Sequence, residues 1–135
     1  MIDQVRDMKK YIDYIYCFID IVPDLQREIE ETYPDWKEDL ILVSVLGFIG
    51  IYIFDKYEII SKDKLNKLFT LIEDSVHHED EYIGTAVATG LLEAMVNKGD
   101  KNSEKWRIIW KHFGKESKEY IKAWNKFCGI DMHLD

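Results

Sequence analysis

The chain has few turn-forming residues and few cysteines. Seven glycines and two prolines in 135 residues are too few for the closely spaced turns of an all-β domain. The two cysteines, Cys17 and Cys128, lie far apart in apolar-periodic segments. That excludes a disulfide framework and leads us to expect two buried thiols. No hydrophobic run is long: the longest uncharged stretch, Leu40 to Phe54, falls short of the roughly 20 apolar residues that cross a bilayer. The opening Met1 to Asp7 lacks the basic-then-apolar pattern of a secretory signal. Together these features predict a reducing, cytoplasmic setting and no membrane association.

Positive charge is also scarce. The net charge of −8 sets the chain against the phosphates of nucleic acid. Trp106, Trp110 and Trp124 interleave with Lys105, Arg107, Lys111, Lys118 and Lys122, but they recur at helical core spacing. They are expected to pack inward, and no nucleic-acid binding is expected. There is no glycine-rich phosphate loop. Among the four histidines (His77, His78, His112 and His133) none sits in a nucleophile–base motif. His112 reads as a partner for a helix C-terminus.

Apolar spacings of three and four dominate, predicting a single all-α domain over residues 1–135. The first helix covers 3–21, with Val5, Met8, Ile12, Ile15, Cys17, Phe18, Ile19 and Val22 on its apolar face, and Pro23 interrupts it. Asp24 is expected to cap a second helix. Asp35, with Glu38 three residues on, is expected to cap a third running from Trp36 to about Tyr57. That helix is apolar almost all round, which predicts a central position; Gly47 and Gly50 would let a neighbour come close. Ser61 caps a fourth. A fifth spans about Glu81 to Asn97 and ends at Gly99-Asp100, a sixth spans Ser103 to Phe113 and stops at Gly114, and a seventh spans Glu116 to Phe127 and ends at Gly129. The last six residues read as loose. Helices four and five, and six and seven, form antiparallel pairs. The architecture is an irregular bundle or a short α-solenoid-like stack of six to seven helices.

Charge is unevenly distributed. Residues 20–39 carry eight acids and two bases, residues 73–81 carry five acids and no Lys or Arg, and residues 98–126 carry nine bases and four acids. The tract Glu73-Asp74-Ser75-Val76-His77-His78-Glu79-Asp80-Glu81 has three readings: a metal site, a contact surface for a basic protein, or a solvated loop. Adjacent helical histidines diverge, so His77 and His78 do not chelate one ion from a helix. Glu73 and Glu93 could face each other across the paired helices, but no Glu-x-x-His pattern accompanies them. Glu28-Ile29-Glu30-Glu31 resembles half of the magnesium motif of all-α nucleotide pyrophosphatases, yet no Glu-x-x-Asp follows. No metal and no cofactor are expected.

Leu71-Ile72-Glu73-Asp74, Leu91-Leu92-Glu93, Phe113-Gly114-Lys115-Glu116-Ser117-Lys118 and Ala123-Trp124 carry a further resemblance. From about Leu68 onward the chain is similar to small helical immunity proteins of bacterial polymorphic toxin systems. The resemblance covers roughly half the chain through mostly structural motifs. It implies a non-enzymatic cytoplasmic protein that binds and neutralises a cognate toxin domain, often through that toxin's basic surface. It gives Glu73 and Glu93 no role beyond packing or hydrogen bonding. The candidate interface is then Asp74, Glu79, Asp80, Glu81 and Tyr82, with Glu28, Glu31 and Asp35 as a second acidic patch. A metal-dependent hydrolase using the acidic helices and a general helical adaptor are the alternatives.

Overall fold

The computed structural model describes residues 2–130, and all of its regular structure is helical. The side chain of Val5 and the tail at 131–135, including His133, lie outside what is described. Seven helices follow in order: α1 (Ile2–Ile21), α2 (Asp24–Thr32), α3 (Leu42–Lys56), α4 (Lys62–Val76), α5, α6 (Ser103–Trp110) and α7 (Lys115–Cys128). Helix α5 is one continuous run in three parts: Glu81–Ala86, a π-helical stretch at Val87–Leu92, and Glu93–Asp100. The chain is an irregular all-α bundle around one core, in which α3 packs on α5, α1 on α4, α6 on the end of α5, and α7 on α4 and α5.

The helix starts follow local chemistry at some points and tertiary demand at others. Ser61 caps α4 as its sequence predicts, its Oγ accepting from the Lys64 amide at 3.2 Å. Asp24 does not cap α2. It is the first helical residue, and Pro23 holds the cap position without a side-chain bond, its fixed φ already suiting a helix start. The larger departure is α3, which begins at Leu42 rather than Trp36. The Asp35 carboxylate caps nothing there; its carbonyl instead accepts from Glu38 and Asp39 in a tight turn, and the chain then extends through Ile41. The reason is phase. At 100° per residue, running α3 back to Trp36 would put Glu38 and Asp39 on the side of Leu42, Leu46 and Ile49 and turn Trp36 away. Burying carboxylates costs far more than breaking the helix. The turn leaves both acids in solvent and inserts Trp36, 2% exposed, into the core, where its ring meets that of Tyr16 at 5.7 Å.

Helix α3 is not fully enclosed: Val43 and Ile51 are each 38% exposed. Its inner side meets the π-helical stretch of α5 at very short range. A Cβ on Gly50 would lie 2.6 Å from the Leu91 carbonyl oxygen, and one on Gly90 would lie 2.5 Å from that of Val43. The glycines therefore set the approach of the two helices, as the Gly47–Gly50 spacing predicts. Both cysteines are exposed, a correction to the buried thiols expected above. Cys17 sits on the outer side of α1, donating its thiol to the Asp13 carbonyl at 3.6 Å.

Replacing Gly50 with Ala should therefore destabilise the fold. Helix propensity gains up to about 1 kcal/mol, but overpacking against backbone costs about 1–3 kcal/mol. The expected result is a lower denaturant midpoint with an unchanged m-value.

Candidate partner-binding surface

The acidic tract divides into residues spent on structure and residues left to solvent. Glu73, near the end of α4, is the most heavily used. Its Oε2 accepts from the Glu116 amide at 2.7 Å, and its Oε1 accepts from the Ser117 amide at 3.0 Å and the Ser117 hydroxyl at 2.8 Å. This carboxylate is the N-cap of α7, supplied from another helix. Gly114, at the cap position, has no side chain to do the work, and a Cβ there would run into the Glu73 carboxylate. Gly114 is thus the start of α7, not merely the stop of α6. A negative charge at a helix N-terminus also meets the positive end of the helix dipole. Burial alone would push the Glu73 carboxyl up, but the two amides, the Ser117 hydroxyl and nearby His77 outweigh it and hold the group below the usual carboxylate range.

Glu93 takes a different partner from Glu73. It accepts from the Tyr120 hydroxyl at 2.5 Å, and burial together with this carboxylate pushes the phenol well above its ordinary range. The two glutamates therefore fasten α7 at separate points. His77 and His78 also part: His77 Nε2 meets Glu116 Oε2 at 2.8 Å, while His78 Nδ1 accepts from the Asp80 amide at 2.9 Å. Among the described residues no group of three or more His, Cys, Asp and Glu side chains is placed to hold a metal ion.

Asp80 caps α5, accepting from the Tyr82 amide at 2.9 Å, and pairs with Lys10 of α1 at 2.8 Å. The hydrogen bond from Lys10 holds its carboxyl below the ordinary range, against a smaller opposing effect of burial and with help from the Tyr82 and Ile83 amides and the Lys10 charge. Tyr82 is 52% exposed and its ring lies 4.9 Å from that of Tyr11. The connection from α4 to α5 is thereby tied to α1. Asp74, Glu79 and Glu81 stand exposed around it.

The second acidic patch is elsewhere. Glu28 is half-buried, 3.9 Å from the Arg27 guanidinium, and Glu31 and Asp35 are exposed. This segment adjoins Tyr16, which takes Gln26, Trp36 and Lys37 as neighbours. Tyr14 of the same helix faces Ser75 and His78. Residues two apart on a helix point about 200° from each other, so α1 separates the two acidic segments and they form two surfaces, not one.

His112 is not a helix-end cation. Its Nε2 lies 2.5 Å from the Tyr57 hydroxyl and its ring stacks on Phe69 at 5.1 Å. Burial, with Lys62 in support, pushes it below the ordinary imidazole range and so toward the neutral form. It lines a cleft of about 360 Å³ with Asn66, Phe69, Thr70, Glu73, Asp74, Lys111 and Gly114. In that cleft the Glu73 carboxylate is already engaged by α7. The tertiary cap was not legible in the sequence, which contains no local signal linking Glu73 to residues 116 and 117. The nearest hint is a helix start with Gly at the cap and Ser at the third helical position.

Residues 15–129 match the family model DUF7674, described as a domain of unknown function, and the chain belongs to that family. No curated protein and no solved structure matches it. No described helix is long and apolar enough to cross a membrane.

The cap makes stability acid-sensitive in a defined direction. A carboxyl held below its unfolded value contributes stability that is present above the unfolded pKa and lost as pH falls through the folded one. Glu73→Gln keeps one acceptor but removes the charge, and should cost about 1–2 kcal/mol at pH 7. The variant and the parent should converge in stability as pH drops below the carboxylate range, read by urea unfolding at a series of pH values. A gap that stays constant down to pH 2.5 would rule out the charge as the source.

Proposed function

We propose that this chain is a non-enzymatic, cytoplasmic immunity-type protein that binds a cognate toxin domain through that domain's basic surface. One observation carries the reading: the exposed acids Asp74 near the end of α4, Glu79, and Glu81 at the start of α5, with the half-exposed Tyr82 ring, flank a connection that Asp80, Lys10 and Tyr11 hold in place. A rigid acidic surface with an aromatic at its edge suits fast capture of a basic partner, because complementary charge speeds encounter and an aromatic anchor lowers dissociation. The groups that could have served chemistry, Glu73, Glu93 and His112, are occupied by Ser117, Tyr120 and Tyr57. The resemblance to immunity proteins of polymorphic toxin systems supplies the kind of partner.

The test is rescue. The C-terminal domain of a large secreted protein encoded beside this chain should halt growth when expressed in the cytoplasm, and co-expression of this chain should restore it. In a purified pair, Glu79→Lys with Glu81→Lys should slow association about tenfold or more at low salt, with the effect shrinking as salt rises. Stoichiometric bound metal together with hydrolytic activity in the isolated chain would contradict the reading.

A further inference from the structure

We propose that the groove between the start of α5 and α7 seats an arginine side chain of the basic partner. This rests on the partner-binding reading above and adds the residue chemistry that is recognised. The groove has a volume of about 330 Å³ and three walls: Val76 and His77 from the end of α4, Gly84, Thr85 and Ala88 from α5, and Glu116, Glu119 and Tyr120 from α7.

The gap is built into the packing. The α5 wall carries no long side chain, and Gly84 is pressed so close to α4 that a Cβ would lie 3.0 Å from the Val76 carbonyl oxygen. Glu116, Glu119 and Tyr120 are spaced i, i+3 and i+4 and so share one face of α7. Tyr120 is fixed by its bond to Glu93, and Glu116 by His77. Glu119 is exposed and makes no hydrogen bond or ion pair among the described residues. His77 and the two glutamates are the titratable groups on the rim beside the Tyr120 phenol; α5 lines the groove with none, its Glu93 meeting it only through the Tyr120 hydroxyl.

An arginine fits this combination better than a lysine does. Its methylene stem covers Val76, Ala88 and the Tyr120 ring, and its planar fork has donors enough for both carboxylates while stacking on an aromatic face. An ammonium is a compact point charge that cannot span the two. His77 both lines the groove and opens the acidic connection, so the groove continues the surface formed by Glu79 and Glu81.

The experiment uses the intact chain and two labelled probes of equal charge, a six-arginine and a six-lysine peptide, in about 50 mM salt, where exposed charges remain weakly screened. Thr85→Phe fills the groove from an exposed position without changing charge, and Glu119→Gln removes the unpaired carboxylate. Melting curves establish that both variants are folded. The arginine peptide is expected to bind more tightly than the lysine peptide, and each variant to weaken it about tenfold. Equal binding of the two peptides would overturn the proposal. So would unchanged binding in both variants while Glu79→Gln with Glu81→Gln abolishes it, an outcome that leaves the basic-partner reading standing on the connection alone.

Discussion

The Glu73 carboxylate, placed on the first turn of α7, is the interaction on which the functional face depends. Helix α7 has no cap of its own: Gly114 provides space, and α4 provides the acceptor. The same contact orders Glu116 and Ser117, brings Glu116 within reach of His77, and sets the register that puts Tyr120 against Glu93. Ile121, fully buried, continues that side of the helix into the core. A helix of fourteen residues is marginal alone in water, so its docking and its helicity stand or fall together. The groove beside α5 exists only while α7 is held there.

The charge map acquires a physical order from this arrangement. Several carboxylates of the acidic segments are spent on the fold: Glu73 on α7, Asp80 on α5 and Lys10, and Glu28 in part on Arg27. Exposed pairs such as Lys9–Asp13 and Lys67–Asp63 add little to stability. What remains unpaired around the α4–α5 connection shapes the field a partner meets. The fold consumes the inner carboxylates and leaves the outer ones, so one short tract both builds the scaffold and gives it a sign.

Much of the fold could be read directly from the residues. Periodicity and caps located α1, α4 and α7 within a few residues, Ser61 named its own helix, and the glycines at 47 and 50 marked a close approach that the structure places against Gly90 and Leu91. Where the reading failed, a distant partner overrode a local signal. Asp35 and Glu38 make a good capping pattern, but the phase of α3 would then have buried Glu38 and Asp39. Cys17 falls within an apolar-periodic run, yet its place on the turn of α1 is outward. The π-helical stretch of α5 has no composition that announces it; it sits where α3 presses closest. The site was less legible. Glu73 read as one acid among five because its role depends on groups more than forty positions away, and helical spacing carries no information about which helix end a carboxylate will meet. Asp74, Glu79 and Glu81, by contrast, were exposed as a polar tract should be.

The claim that Glu73 holds α7 in place is tested most directly by amide hydrogen exchange, followed residue by residue in the parent chain and in Glu73→Ala. The account predicts that the Glu116 and Ser117 amides lose protection first and strongly, that the rest of α7 follows as a unit, and that α3 and the π-helical stretch of α5 stay protected. Unchanged protection along α7 in the variant would contradict it, and would mean that packing through Ile121 and Tyr120 holds the helix without the cap.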